Sequence, residues 1–330
     1  MPPHIFYAVS HDLRADLDTP NLRAMAAADG CISFSHAFCQ APYCTPSRAS
    51  FFTGRRPSVT DIHTFEQNVE KDAGLSGAAR RDTEWRYDEL LHLNWFDELQ
   101  KHAAALGHRR PRHPSVRTAA PRAFRDAGYV TYGAGVTLMG KNRSWQHCEP
   151  CWSDGYTKIS GWGNMNGLAN PRCDGSVAPC ADDFESSHDF LVASAAVAWL
   201  QAWEQRPAAA RPPFFVMVGF WGGHQDYSVE ASYYDEYASP AVRLTADSVG
   251  WELPAGASAL TGPAVWEAQS LPAWQRRSVN VQAWAAWRRG YHAAENKMDA
   301  ALGLVLTHLD KAGLTASTIT VFHVRRPRST

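Results

Sequence analysis

No apolar run in this chain approaches the roughly 20 residues needed to cross a bilayer, so the sequence offers no candidate spanning helix. An excess of one charge is missing too. The 33 acidic residues face 32 basic ones, for a formal net charge of −1, and bulk electrostatics therefore gives no reason to expect nucleic acid or a lipid surface as partner. The apolar segment His4-Ile5-Phe6-Tyr7-Ala8-Val9 is too short, and too soon followed by charge, to be a signal peptide. It reads as a first buried strand. No internal repeat is visible. What is present is an ordinary globular composition, 45% hydrophobic and 20% charged over 330 residues, enough for one large α/β domain or two smaller ones.

Four short β-branched or aromatic runs predict buried strands: Ile5–Val9, Tyr129–Tyr132, Phe214–Phe220 and Thr318–Phe322. Helices are expected over Leu22–Ala28, started by Thr19-Pro20-Asn21, and between Ser187 and Trp203. The clearest helix runs from Trp287 to Leu309. There Trp287, Tyr291, Ala294, Met298, Leu302, Val305 and Leu309 recur at spacings of three or four and form one apolar stripe, with Gly313 placed to end the helix. Strands alternating with helices predict an α/β fold with a mainly parallel sheet sandwiched by helices. Phe65–Pro114 and Trp145–Asp182 read as long irregular loops over one edge, and the basic stretch His108–Arg125 as a solvated loop.

Seven cysteines are present. Cys148, Cys151, Cys173 and Cys180 lie in a probe of two alternatives: a four-cysteine zinc site, C-x2-C…C-x6-C, or one or two disulfides closing a loop. The long second spacing favours disulfides. Asn142-Arg143-Ser144 fits a glycosylation sequon, a triplet common by chance.

Cys44-Thr45-Pro46-Ser47-Arg48, running into Ala49-Ser50-Phe51-Phe52-Thr53-Gly54-Arg55, resembles the signature of the sulfatases, most closely the iduronate-2-sulfatase-like group of the alkaline-phosphatase-like superfamily. Further segments line up in order with that family. They are Phe6–Arg14 with its first strand and Asp-Asp-Leu-Arg motif, Asp18–Leu22 with its "TPNL" helix start, and Phe38–Tyr43 with the lead-in to the signature. Phe124–Thr131, Pro213–Phe220 and Ser317–Phe322 resemble its later strands. The resemblance implies residues 1–330 as an incomplete N-terminal catalytic domain, with 145–182 as a cysteine-rich loop insertion and the smaller C-terminal subdomain missing.

It also implies a chemistry. In the family the cysteine is oxidised by a formylglycine-generating enzyme, which makes that enzyme an expected partner of Cys44. The hydrated aldehyde attacks the sulfur of a sulfate ester and then regenerates itself, covalent catalysis split into two steps. A divalent metal, by resemblance Ca2+, polarises the sulfate oxygens. The expected catalytic residues are Cys44, Arg48 and His224, and the expected metal ligands Asp12 and Cys44, with His11 as a weaker one. The implied substrate is a sulfated small molecule or glycan, and the implied compartment lysosomal or secreted.

The departures are as specific as the matches. His11 replaces the first of two adjacent aspartates, and Arg325 and Arg326 fall where the family's second metal motif is expected. The family's G-K-x-x-H lysine falls near Val136, with Lys141 as the alternative. Its H-K-P-H turn stands here as Trp221-Gly222-Gly223-His224. The alternative expectation is therefore a catalytically inactive sulfatase-like protein, or a truncated gene product, that at most binds sulfated ligands.

Overall fold

The computed structural model describes residues 2–11, 13, 19–34, 37–40, 44–57, 119–137, 151–159, 184–224, 229–237 and 281–325. Within them five strands form one sheet: β1 (His4–His11), β2 (Val130–Gly135), β3 (Tyr156–Thr157), β4 (Phe214–Gly219) and β5 (Thr318–Arg325). Their spatial order is β3-β2-β4-β1-β5, and every pairing is parallel. The expected α/β architecture is therefore observed. All strand carboxyl ends point to one edge, where ligands of open parallel sheets gather.

Alternation along the strands divides the core into two layers. Phe6, Ala8, Tyr132, Ala134, Val216 and Val218 face one side, against α4 (His188–Glu204) and α6 (Val281–Lys311), with the short α5 (Ala231–Glu236) between them in the chain. Ile5, Val9, Phe215 and Met217 face the other, against α2 (Cys44–Thr53) and α3 (Ala120–Asp126). Near-continuous apolar runs are what a sheet covered on both faces requires.

The stripe on α6 packs as its spacing predicts. Met298, Leu302, Val305 and Leu309 are buried in the first layer, each contributing about 1.5–3 kcal/mol. Gly313 follows with φ +67°. Helix α4 starts where Ser187 caps it, its hydroxyl accepting from Phe190 N at 3.3 Å. Helix α1 (Pro20–Ala27) has no such cap of its own. Its first amides are met instead from α6: the Asp299 carboxylate accepts from Asn21 N at 2.8 Å and Leu22 N at 2.9 Å. Asn21 Nδ2 adds donations to the Asp299 carboxylate and backbone carbonyl. The Thr-Pro-Asn-Leu segment is thus a docking point as well as a helix start.

The signature from Cys44 starts α2, Pro46 falling in the first helical turn, where its missing N–H costs no bond. Two expectations are corrected. Residues 120–126 at the end of the basic stretch form α3, with Arg122 and Arg125 near Asp126. The described part of 145–182 supplies the edge strand β3, held to β2 by the Thr131 hydroxyl donating to the Cys151 carbonyl at 3.0 Å. Cys151 is disulfide-bonded, which removes the thiolate that a four-cysteine zinc site needs. Its partner, and Cys148, Cys173, Cys180 and Asn142, lie outside the described residues. No helix among the described residues is long and apolar enough to cross a membrane.

Replacing Asp299 by Ala strips α1 of acceptors for two amides and the Asn21 side chain. The expected loss is about 2–3 kcal/mol, read as a lower midpoint in urea unfolding.

Candidate functional site

The site is built where β1, β2 and β4 end and α2 begins. Cys44 is the first residue of α2, buried beside Val136 and Trp221. Arg48 lies one turn further on the same helical face, with no exposed surface. Its Nη1 donates to the Val136 carbonyl at 2.6 Å and the Thr137 carbonyl at 2.9 Å, tying α2 to the chain leaving β2. Tyr156 from β3 braces the same chain, its hydroxyl donating to the Gly135 carbonyl. Burial, outweighing the Thr137 hydrogen bonds and the nearby Arg48 charge, pushes this phenol up to about 12, so it remains a donor at neutral pH.

The third wall is the loop after β4. Asp189, buried at the start of α4, accepts from Trp221 N at 2.6 Å and Gly222 N at 2.9 Å. His188 Nδ1 lies 3.2 Å from the same carboxylate. Burial alone would raise the Asp189 carboxyl. The His188 hydrogen bond and charge, the Trp221 amide and the Lys297 charge together hold it below its ordinary value near 3.8. Ser10 adds a hydroxyl donation to the Gly222 carbonyl at 3.3 Å. Gly223 has φ +88°, and a Cβ there would run into Glu295 Oε1 and lie 2.5 Å from the His11 carbonyl oxygen. The loop therefore presses on α6 and β1 at once and carries His224 to the end of β1.

The result is a cluster of three side chains from three elements. One donor atom each of His11, Cys44 and His224 lie within 4.8 Å of one another. The His11 ring is edge-on to His224, with centroids 5.1 Å apart, and Trp221 lies over His224 at 4.1 Å.

The Sulfatase family model matches residues 7–323. The chain belongs to the sulfatase family. A curated sulfatase from Formosa agariphila is 24% identical over 312 residues, covering 93% of this chain and 53% of its own length. Among solved structures, the phosphonate monoester hydrolase of Agrobacterium radiobacter matches with a TM-score of 0.56 at 16% identity, over 98% of this chain and 62% of its own. The structure of BT4656 in complex with its substrate D-glucosamine-2-N,6-O-disulfate matches with a TM-score of 0.51 at 14% identity, over 98% and 65%. These likenesses support the alkaline-phosphatase-like fold. The chain spans about half the length of this curated relative.

Of the residues expected to act, the fold brings Cys44, Arg48, His224 and His11 to one edge. Asp12 and Lys141 lie outside the described residues. The strand register sets Arg325 opposite His11, as the alignment with the second metal motif expects. Calcium wants hard oxygen donors, and the cluster offers two imidazoles and a sulfur. Among the described residues no carboxylate joins this group, so these three side chains do not fit calcium. The sequence reading missed Asp189 and Glu295. Asp189 sits where any helix favours an acid in its first turn, and Glu295 interrupts an otherwise ordinary amphipathic pattern, so neither carried a signal of its tertiary role.

Asp189→Asn weakens the acceptor pair and is expected to destabilise the fold. Because the folded carboxyl titrates below its ordinary value, the stabilisation is present above about pH 3.8 and disappears as pH falls through the folded value. Urea midpoints of wild type and variant should therefore converge on acidification. Gly223→Ala, forced against Glu295 and a left-handed backbone, should cost about 1–3 kcal/mol and shift the His224 ring resonances.

Proposed function

We propose that this chain carries a sulfate-ester hydrolysing site at the carboxyl edge of its sheet, with Cys44 as the precursor of the nucleophile and a sulfated sugar as the substrate class. The observation that carries this reading is the position of the intact Cys-Thr-Pro-Ser-Arg run, with Cys44 opening α2 at that edge and Arg48 buried one turn behind it. The bound disulfated glucosamine in a neighbour of the same fold supports the substrate class.

Formylglycine fits position 44, where a side chain of cysteine size packs against Val136 and Trp221. When formed by a formylglycine-generating enzyme, it supplies an oxygen nucleophile. The rest falls to the chain's own groups. The amides of the first turn of α2 and its dipole favour an anion, and the Arg48 guanidinium adds a fixed positive charge next to it. His224, half-buried, is the group to hand a proton to the departing alcohol oxygen through a ring nitrogen. Among the described residues Arg48 offsets part of the sulfate charge, since His11, Cys44 and His224 do not suit calcium; Asp12 lies outside them.

A second reading has one observation in its favour. His11 and His224 stand with Cys44 where hydrolysis in this family relies on carboxylate-bound metal, as expected of a relative that binds sulfated ligands without cleaving them.

Peptide mass spectrometry across Cys44, on protein from its native source, separates the two. Conversion to the aldehyde, with turnover of an aryl sulfate that Cys44→Ala abolishes, is the expected result. Arg48→Lys, which cannot span two carbonyls with one planar group, should then lower kcat by about 10²–10³. An unmodified thiol without turnover would leave only the binding role.

A further inference from the structure

The cluster at the sheet edge has a chemistry of its own that does not depend on sulfate hydrolysis. We propose that, with Cys44 as a thiol, His11, Cys44 and His224 form a binding site for a thiophilic divalent ion of the zinc class.

The donor types come first. Two imidazole nitrogens and one sulfur suit zinc and its neighbours and are poor partners for calcium or magnesium. Three protein ligands with a fourth position open is the pattern of reactive zinc sites rather than closed structural ones. Geometry comes second. Zinc bonds of roughly 2.0–2.3 Å in a tetrahedron separate donors by about 3.3–3.8 Å. The three donor atoms already lie within 4.8 Å of one another, so small rotations about the side-chain bonds bring them to an ion.

Their anchorage is the third argument. His11 ends a central strand and is fully buried, and its backbone pairs with β5 at Arg325. Cys44 rides on a helix fixed by the Arg48 hydrogen bonds. His224 follows a loop clamped by Asp189. Three rigid elements thus aim soft donors at one point, which is how a site avoids paying for order on binding. The half-buried His224 leaves a way in from solvent.

Charge is compatible. The thiol proton leaves to solvent as the ion binds, so the site gains a thiolate. That thiolate offsets the Arg48 guanidinium one helical turn away on α2. The two states of residue 44 then exclude each other: conversion to the aldehyde removes the sulfur ligand, and a bound ion covers the sulfur.

The test uses the full chain produced without a formylglycine-generating enzyme, its Cys44 thiol verified by peptide mass spectrometry. It is titrated with Co2+ under anaerobic conditions. The expected result is one ion per chain, with a thiolate-to-cobalt charge-transfer band that Zn2+ abolishes and millimolar Ca2+ leaves in place. Cys44→Ser should remove the band. His224→Gln, at a partly exposed position, should fold normally by circular dichroism and weaken binding more than about 10-fold, the loss that even an outer-shell partner costs. The Cys31→Ser/Cys39→Ser double variant, which removes the other described free thiols, should bind as wild type does. Binding that survives Cys44→Ser, that vanishes in the double variant, that Ca2+ displaces, or that is not seen at all would overturn the proposal.

Discussion

A guanidinium with no exposed surface is among the most demanding groups a fold can hold, since a buried charge without hydrogen-bond partners costs several kcal/mol. Arg48 meets that demand with the carbonyls of Val136 and Thr137, and the rest of the site follows. The helix carrying Arg48 must lie across the end of β2. Its first residue, Cys44, must then face the ends of β1 and β4. The strand end must in turn expose two carbonyls in one direction. The left-handed Gly135 allows that turn, next to Gly219, where a Cβ would strike the Val136 carbonyl.

Much of this was legible beforehand. Strands β1, β2, β4 and β5 lie where β-branched and aromatic runs put them, because a parallel sheet covered on both faces asks for uninterrupted apolar sequence. The long helix α6 was visible in its period, and α4 in the Ala/Leu/Trp-rich run between Ser187 and Trp203. Local rules failed where a helix depends on what docks against it. Helix α2 carries a proline in its first turn and almost no amphipathic contrast, so no helix was expected there from the sequence. Helix α3 hides in a basic, proline-containing stretch. The short strand β3 exists through its bonds to Thr131 and neighbours on β2.

The same split holds at the site. The resemblance of the Cys44 run and the segments around it to the sulfatases pointed to Cys44, Arg48, His11 and His224, and the fold brings them to one edge. The residues that hold them there, Asp189 and Glu295, belong to helices whose own sequences explain them fully as helix. A carboxylate that accepts two amides 32 and 33 positions away has no local signature, because its partners are backbone groups that any residue could supply.

The loop Trp221-Gly222-Gly223-His224 carries a consequence for how its sequence could change. The family's turn has lysine and proline at the two glycine positions. Here a Cβ at Gly222 would strike Met298, and one at Gly223 would strike Glu295. Both neighbours lie on α6, which occupies the space that larger side chains would need. A single substitution back toward the family's turn therefore meets a steric barrier. A larger residue at 222 needs room at Met298, and one at 223 meets the His11 carbonyl as well as the Glu295 side chain. The two glycines therefore tie the loop to α6 and β1, and its sequence cannot be enlarged alone.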